Sequence, residues 1–270
     1  MEKWYQSQPA SNWDLAAATT ERPVASHERQ TTSPATEALA PELSGLGTLH
    51  VPVSTATPRA QRFFDQGMRL LYAFNHAESI RAFREAVRLD PSLAMAYWGQ
   101  ALALGPNLNA PMTRDNGRAA YAAIQAARAA APRVTPRERS LIEALATRYA
   151  PDGAGDRPAL DRAYAAAMQK MAGQHPDDPD IQTLYADAAM NTMPWDYWQK
   201  DGTAKPETAR ILDIRERTIA RYPDHVGALH YHIHLVPRWE NDGILRRWAP
   251  NAQAGLKLDE LAAHIRAAGQ

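Results

Sequence analysis

Four histidines of this chain, His225, His230, His232 and His234, crowd into one stretch, "HVGALHYHIHLVP" (His225–Pro237). Imidazole binds metals and moves protons near neutral pH, so this stretch is where chemistry is sought first. Local geometry decides which chemistry is open. In a strand, side chains alternate, and His230, His232 and His234 share one face. In a helix, His230 and His234 lie one turn apart on one face, while His232 points roughly 160° away. A pair at i, i+4 can hold one ion from a helix face but needs further ligands. His76, in the turn "NH" (Asn75, His76), is the candidate third ligand. There is no cysteine, so any metal site must use imidazole, carboxylate or carbonyl donors, and copper, zinc or iron suit imidazole. Tyr231 follows His230 where a zinc protease would carry glutamate, which excludes that motif. The plainer alternatives are histidines packed between helices and bonded to carboxylates or carbonyls, or direct acid–base chemistry.

Two other segments carry candidate ligand groups. "PWDYW" places Trp195, Tyr197 and Trp198 in a long connection spanning 192–205. Such rings suit a binding surface, or equally a lid that buries them over a helix end. "GPNLNAP" offers Asn107 and Asn109, either as turn formers or as ligand contacts beside Trp98. Asn75 joins them as a candidate groove residue. No catalytic serine motif, phosphate-binding glycine loop or nucleic-acid motif is present. Lys+Arg and Asp+Glu both number 30, so no basic excess calls for nucleic acid. No apolar run approaches the roughly 20 residues of a membrane span. The N-terminus lacks a basic region followed by an apolar core, so the expectation is a cytoplasmic protein without a signal peptide or membrane partner. Its oligomeric state is open.

These groups must be positioned by helices. Residues 1–56 are rich in Ser, Thr, Ala and Pro and read as a largely flexible leader. "LGTLHVPVST" (Leu46–Thr55) is the exception, expected to lie extended along the domain. Thr57-Pro58 opens a first helix, in which Phe64, Met68 and Leu71 recur at helical spacing. Ile80, Phe83 and Val87 mark a second helix, and "SLAMAYWGQALAL" a third, ending at Gly105-Pro106. Further helices are expected near 114–131, 136–150, 158–174, 178–191, 206–221 and 225–236. Thr135-Pro136-Arg137-Glu138 has the pattern of a capping box. Residues 237–270 read as an irregular tail with a short helix at Leu256–Ala268.

Gly67, Ser79, Phe83, Ala86 and Pro91, with Ala101 34 residues after Gly67, resemble the tetratricopeptide repeat. "FFDQGMRLLYAFNHAESIRAFREA", "AYWGQALALGPNLN", "PWDYW" and "ALHYHIH" together resemble a divergent bacterial family of such repeats with no settled activity. The resemblance spans roughly 46–236. Pro237 stands where relatives carry a glutamate, and their second histidine-rich motif has no counterpart here. The resemblance implies an all-α, right-handed α-solenoid of antiparallel helix pairs over 57–236. It also implies that "GALHYHIH" occupies the same place as "AMAYWGQA", so the histidine stretch is expected as a helix. Repeats of this kind present a concave groove, so a peptide or protein partner is the first expectation. A histidine-based metal protein, possibly enzymatic, using His76, His230 and His234 is the second.

Overall fold

The computed structural model describes residues 38–236. The remainder of the expected leader (1–37), the tail (237–270) and its helix at Leu256–Ala268 lie outside the described residues. Nine helices occur among the described residues. They are α1 (Pro58–Tyr72), α2 (His76–Leu89), α3 (Ala94–Leu104), α4 (Arg114–Ala130), α5 (Pro136–Ala146), α6 (Arg157–Gln174), α7 (Pro179–Met190), α8 (Pro206–Arg221) and α9 (Val226–Leu235). No strand occurs among the described residues, only isolated bridges at Asn107–Ala110 and Trp198–Ala204.

Helix starts follow local chemistry. Proline occupies the first turn of α1, α5, α6, α7 and α8, where its missing N–H costs nothing. Thr135 and Glu138 form the capping box, each side chain bonded to the other residue's backbone N–H. Asp178 accepts from the backbone N–H groups of Asp180 and Ile181 at the start of α7. Helix α5 stops at Ala146, short of the expected 150. Thr147 Oγ1 turns back to the Ala144 carbonyl (2.7 Å). Arg148 swings into the interior, where Asp161 (2.9 Å) and the Pro106 carbonyl (3.1 Å) receive its guanidinium. Continuing the helix would forfeit those partners, and a buried guanidinium without them is costly.

Each helix packs on the next, α1 also contacts α3, α3 contacts α5, and α7 contacts α9. Helix α9 additionally returns to α1. Consecutive packing of this kind is compatible with a helical-repeat fold. The wedge of the first units is Phe83, fully buried between two glycines. A Cβ added to Gly67 of α1 or to Gly99 of α3 would lie 2.5 or 2.6 Å from its ring. Ser79 Oγ donates to the Gly67 carbonyl (2.8 Å), tying α2 to α1 at the same level. Ala101, matched to Gly67 on period, is buried as well, but Gly99 is the residue that meets the ring.

The segment before α1 is stitched to this core. Leu46 and Val51 are buried, and Val51 N donates to Asp65 (3.0 Å). Ser54 reaches Glu138 through both its backbone N (2.7 Å) and its Oγ (2.5 Å). Burial raises the Glu138 pKa, but hydrogen bonds from Ser54 and Thr135 outweigh it and hold the carboxyl below the usual range.

Two predictions follow from this packing. Gly99→Ala lowers stability by about 1–3 kcal/mol in urea denaturation, and adding Phe83→Leu recovers part of the loss by freeing space. The depressed Glu138 pKa means its contribution is complete above the unfolded value near 4.5 and is lost as pH falls through the folded value. The urea midpoint of the wild type therefore drops more steeply from pH 6 to pH 3 than that of Glu138→Gln.

Candidate functional site

The histidine stretch is a helix, α9, and each histidine has its own task. His225 is the N-cap: its Nδ1 accepts from Ala228 N (3.0 Å). Its Nε2 is then the protonated nitrogen and donates to Asp180 (3.2 Å). His232 is buried, its Nδ1 has no hydrogen-bond partner among the described residues, and burial together with nearby Arg215 lowers its pKa to about 4. His230 and His234 look the other way, towards the end of α1. His230 Nδ1 lies 2.5 Å from the Tyr72 carbonyl, and a carbonyl only accepts, so Nδ1 carries the proton. His230 Nε2 lies 3.0 Å from His234 Nε2. Burial, then the neighbouring His230, lowers the His234 pKa to about 4.

Phe74 stands at the centre of the group. Its ring stacks on His76 (5.8 Å) and His234 (5.2 Å) and tilts against His230 (4.5 Å) and Tyr231 (5.7 Å). His76, His230 and His234 are thereby gathered around one apolar ring. Among the described residues, no group of three or more His, Asp or Glu side chains is placed to hold a metal ion. Burial also lowers the His76 pKa, partly offset by the backbone at Phe74.

The backbone at Phe74 explains how the ring gets there. Helix α1 ends with Asn75 N bonded to the Leu70 carbonyl (2.9 Å) and Phe74 N to the Leu71 carbonyl (3.0 Å). This is a Schellman ending, whose left-handed residue is usually glycine. Here it is Phe74, with φ of 58°. The sole other non-glycine with positive φ among the described residues is Trp195, at 61°. Both strained aromatics touch His234, Trp195 edge-on at 5.5 Å. Strained backbone concentrated at one place is a mark of a working site.

The other candidates divide between this cluster and the interior. Trp195 is 51% exposed, yet its Nε1 is anchored on the Leu108 carbonyl (2.7 Å), within "GPNLNAP". Trp198 Nε1 donates to the Leu235 carbonyl at the end of α9 (2.8 Å). Asn75 caps α2 by accepting from Glu78 N (3.3 Å), one residue from His76. Asn107 accepts from the backbone of Asn109 and Ala110, as a turn former does, and Asn109 is exposed. Trp98 is an interior residue, its Nε1 on the Leu141 carbonyl (3.2 Å). Tyr197 is buried, and its carbonyl accepts from Thr208 Oγ1 (2.6 Å).

The ends of α1, α3, α7 and α9 thus meet through Phe74, Leu108, Trp195 and His234. Sequence reading missed the role of Phe74. A phenylalanine in "YAFNH", where a helix ends without glycine, was the available signal. Two open clefts, of about 590 and 630 Å³, lie elsewhere, around Arg210 and Tyr222 and around Pro52 and His175. The first is lined by Arg210, Arg217 and Arg221, each already paired with a carboxylate. The charged groups of the first cleft are thus already committed, and the aromatic–histidine cluster is the better candidate.

Replacing Phe74 separates the ring from the backbone strain. Phe74→Gly loses the ring but accepts the left-handed backbone, whereas Phe74→Ala loses the ring and keeps the strain. Both are expected to be less stable than wild type in thermal melts. Alanine is expected to be the worse of the two by about 1 kcal/mol.

Comparison with protein-family models, with curated proteins and with solved structures returned no match.

Proposed function

We propose that this chain is a tetratricopeptide-like repeat protein, its helix pairs stacked as a right-handed α-solenoid, that binds a peptide or protein segment at the aromatic–histidine cluster. The repeat reading is supported by Phe83 wedged between Gly67 and Gly99 and by the Ser79–Gly67 hydrogen bond. Helices α3 and α7 are buried along nearly all of their length, and Trp98 is sealed among them. Those surfaces offer little room for a long peptide, which favours recognition at the helix ends.

The observation that carries the reading is Trp195. The residue is half exposed, but its Nε1 is held by the Leu108 carbonyl. A rigid aromatic at the surface loses little entropy on binding and makes a strong anchor. The C-terminal ends of α1 and α9 bring partial negative charge nearby, and the rings offer π faces. The segment recognised is therefore one presenting a basic or aromatic side chain.

A peptide array followed by titration of the best binder tests this. Trp195→Ala is expected to weaken binding at least tenfold, about 1.4 kcal/mol. Equal binding by the variant, or no preference for basic and aromatic residues, would remove the proposal.

A further inference from the structure

The segment before α1 shows how this fold holds an extended chain. Residues 39–54 lie on α1, α2 and α5, and helix side chains reach the segment's backbone at both N–H and C=O groups. We propose that this face is a binding groove for an extended, alternately apolar segment of a partner protein, and that residues 39–54 are its occupant in cis. The groove uses none of the residues of the aromatic–histidine cluster.

The register carries the inference. Gln61, Asp65 and Arg69 stand at i, i+4 and i+8, on one stripe of α1. Gln61 Oε1 accepts from Val53 N (3.0 Å), and its Nε2 donates to the Val51 carbonyl (2.9 Å). Asp65 accepts from Val51 N (3.0 Å). Arg69 donates through Nε (2.8 Å) and Nη2 (2.5 Å) to the Leu49 carbonyl. The segment therefore runs antiparallel to α1 and advances two residues for every four of the helix. Four helical residues rise about 6.0 Å and two extended residues span about 6.6 Å, so one stripe of side chains keeps step with the chain. A second grip repeats the first. Gln66 Oε1 accepts from Leu43 N (2.8 Å), and its Nε2 donates to the Pro41 carbonyl (3.0 Å). Each glutamine thus clasps the N–H of one residue and the carbonyl of the residue two before it. On α2, Glu85 accepts from Leu39 N (2.9 Å) and Arg81 donates to the Leu39 carbonyl (3.0 Å).

Backbone groups are common to all sequences, so these bonds hold a chain without reading its side chains. Selectivity lies in the alternation. Val51 is buried, Leu49 and Val53 are partly buried against the core, and His50 and Pro52 between them are exposed. The segment that fits carries apolar residues at three alternate positions, with free N–H groups at the second and third. The position between those two accepts proline, as Pro52 shows. A partner meets competition, because the tether gives the cis segment a high effective concentration.

A fluorescent peptide with the sequence of residues 38–56, titrated into full-length protein and followed by anisotropy, tests the groove. In Leu46→Asp/Val51→Asp the cis segment loses its buried side chains while the helix side chains stay. This variant is expected to bind the peptide at least tenfold more tightly than wild type. Adding Gln61→Ala and Arg69→Ala is expected to remove that gain, as is serine in place of Leu49, Val51 and Val53 in the peptide. Equal binding by wild type and the first variant, or a gain indifferent to the groove changes, would overturn the proposal. So would a dimer in light scattering that excess peptide leaves intact, since the occupant would then be a second copy of this chain. Hydrogen exchange on the wild-type chain gives a reading that needs no variant to fold. The amides of Leu43, Val51 and Val53 are expected to show protection factors at least tenfold below those of Phe64 and Phe83. Equal protection would mean that the segment opens only with the whole fold, and the groove would then be closed to any partner.

Discussion

The arrangement of the site depends on one close approach, that of α9 to the end of α1. Gly227 makes it possible, because a Cβ there would lie 2.6 Å from the Tyr72 ring. The Tyr72 ring is itself fully buried and stands edge-on to Tyr231 at 6.2 Å. With the helices this close, His230 reaches the Tyr72 carbonyl, and Phe74 falls among three imidazoles. A wider spacing would break the His230 bond and leave the strained Phe74 backbone without the contacts that offset it.

Behind α9 the interior is unusually polar. Arg215 is fully buried, with one guanidinium nitrogen on the Gly227 carbonyl (3.1 Å) and its charge 5.7 Å from the Tyr231 ring. Burial brings its pKa down to about 9 and raises that of Asp187. Arg148 is equally buried but better partnered, by Asp161 and the Tyr164 ring. Buried charge of this kind makes a poor source of net stability and a good constraint on which packing is tolerated. The apolar contribution comes from rings such as Phe63, Phe64 and Phe83, each worth about 1.5–3 kcal/mol on burial.

Exposure and order coincide at Trp195, and this gives the cluster its character. Loops carry function when a rigid scaffold holds them. Here the 192–205 connection is held from three sides: Trp195 on Leu108, Trp198 on Leu235, and Thr208 on the Tyr197 carbonyl. The histidines beneath it add flat ring faces, and burial holds the His76 and His234 pKa values below the usual range.

Helix placement was legible in the residues because its causes are local. Proline at first turns, the Thr135–Glu138 box, and Phe64, Met68 and Leu71 at helical spacing each act within a turn or two. The separation of His232 from His230 and His234 follows from helical periodicity alone once α9 is a helix. The partners of those side chains were not legible, because they are set by contacts between residues far apart in the chain. Tyr72 and His230 are separated by 158 positions, Leu108 and Trp195 by 87. Composition names His76, His230 and His234 as candidates, but only the packing of α9 on α1 put the Phe74 ring in their midst. No local rule predicts that ring, since local preference alone would have put glycine at its position.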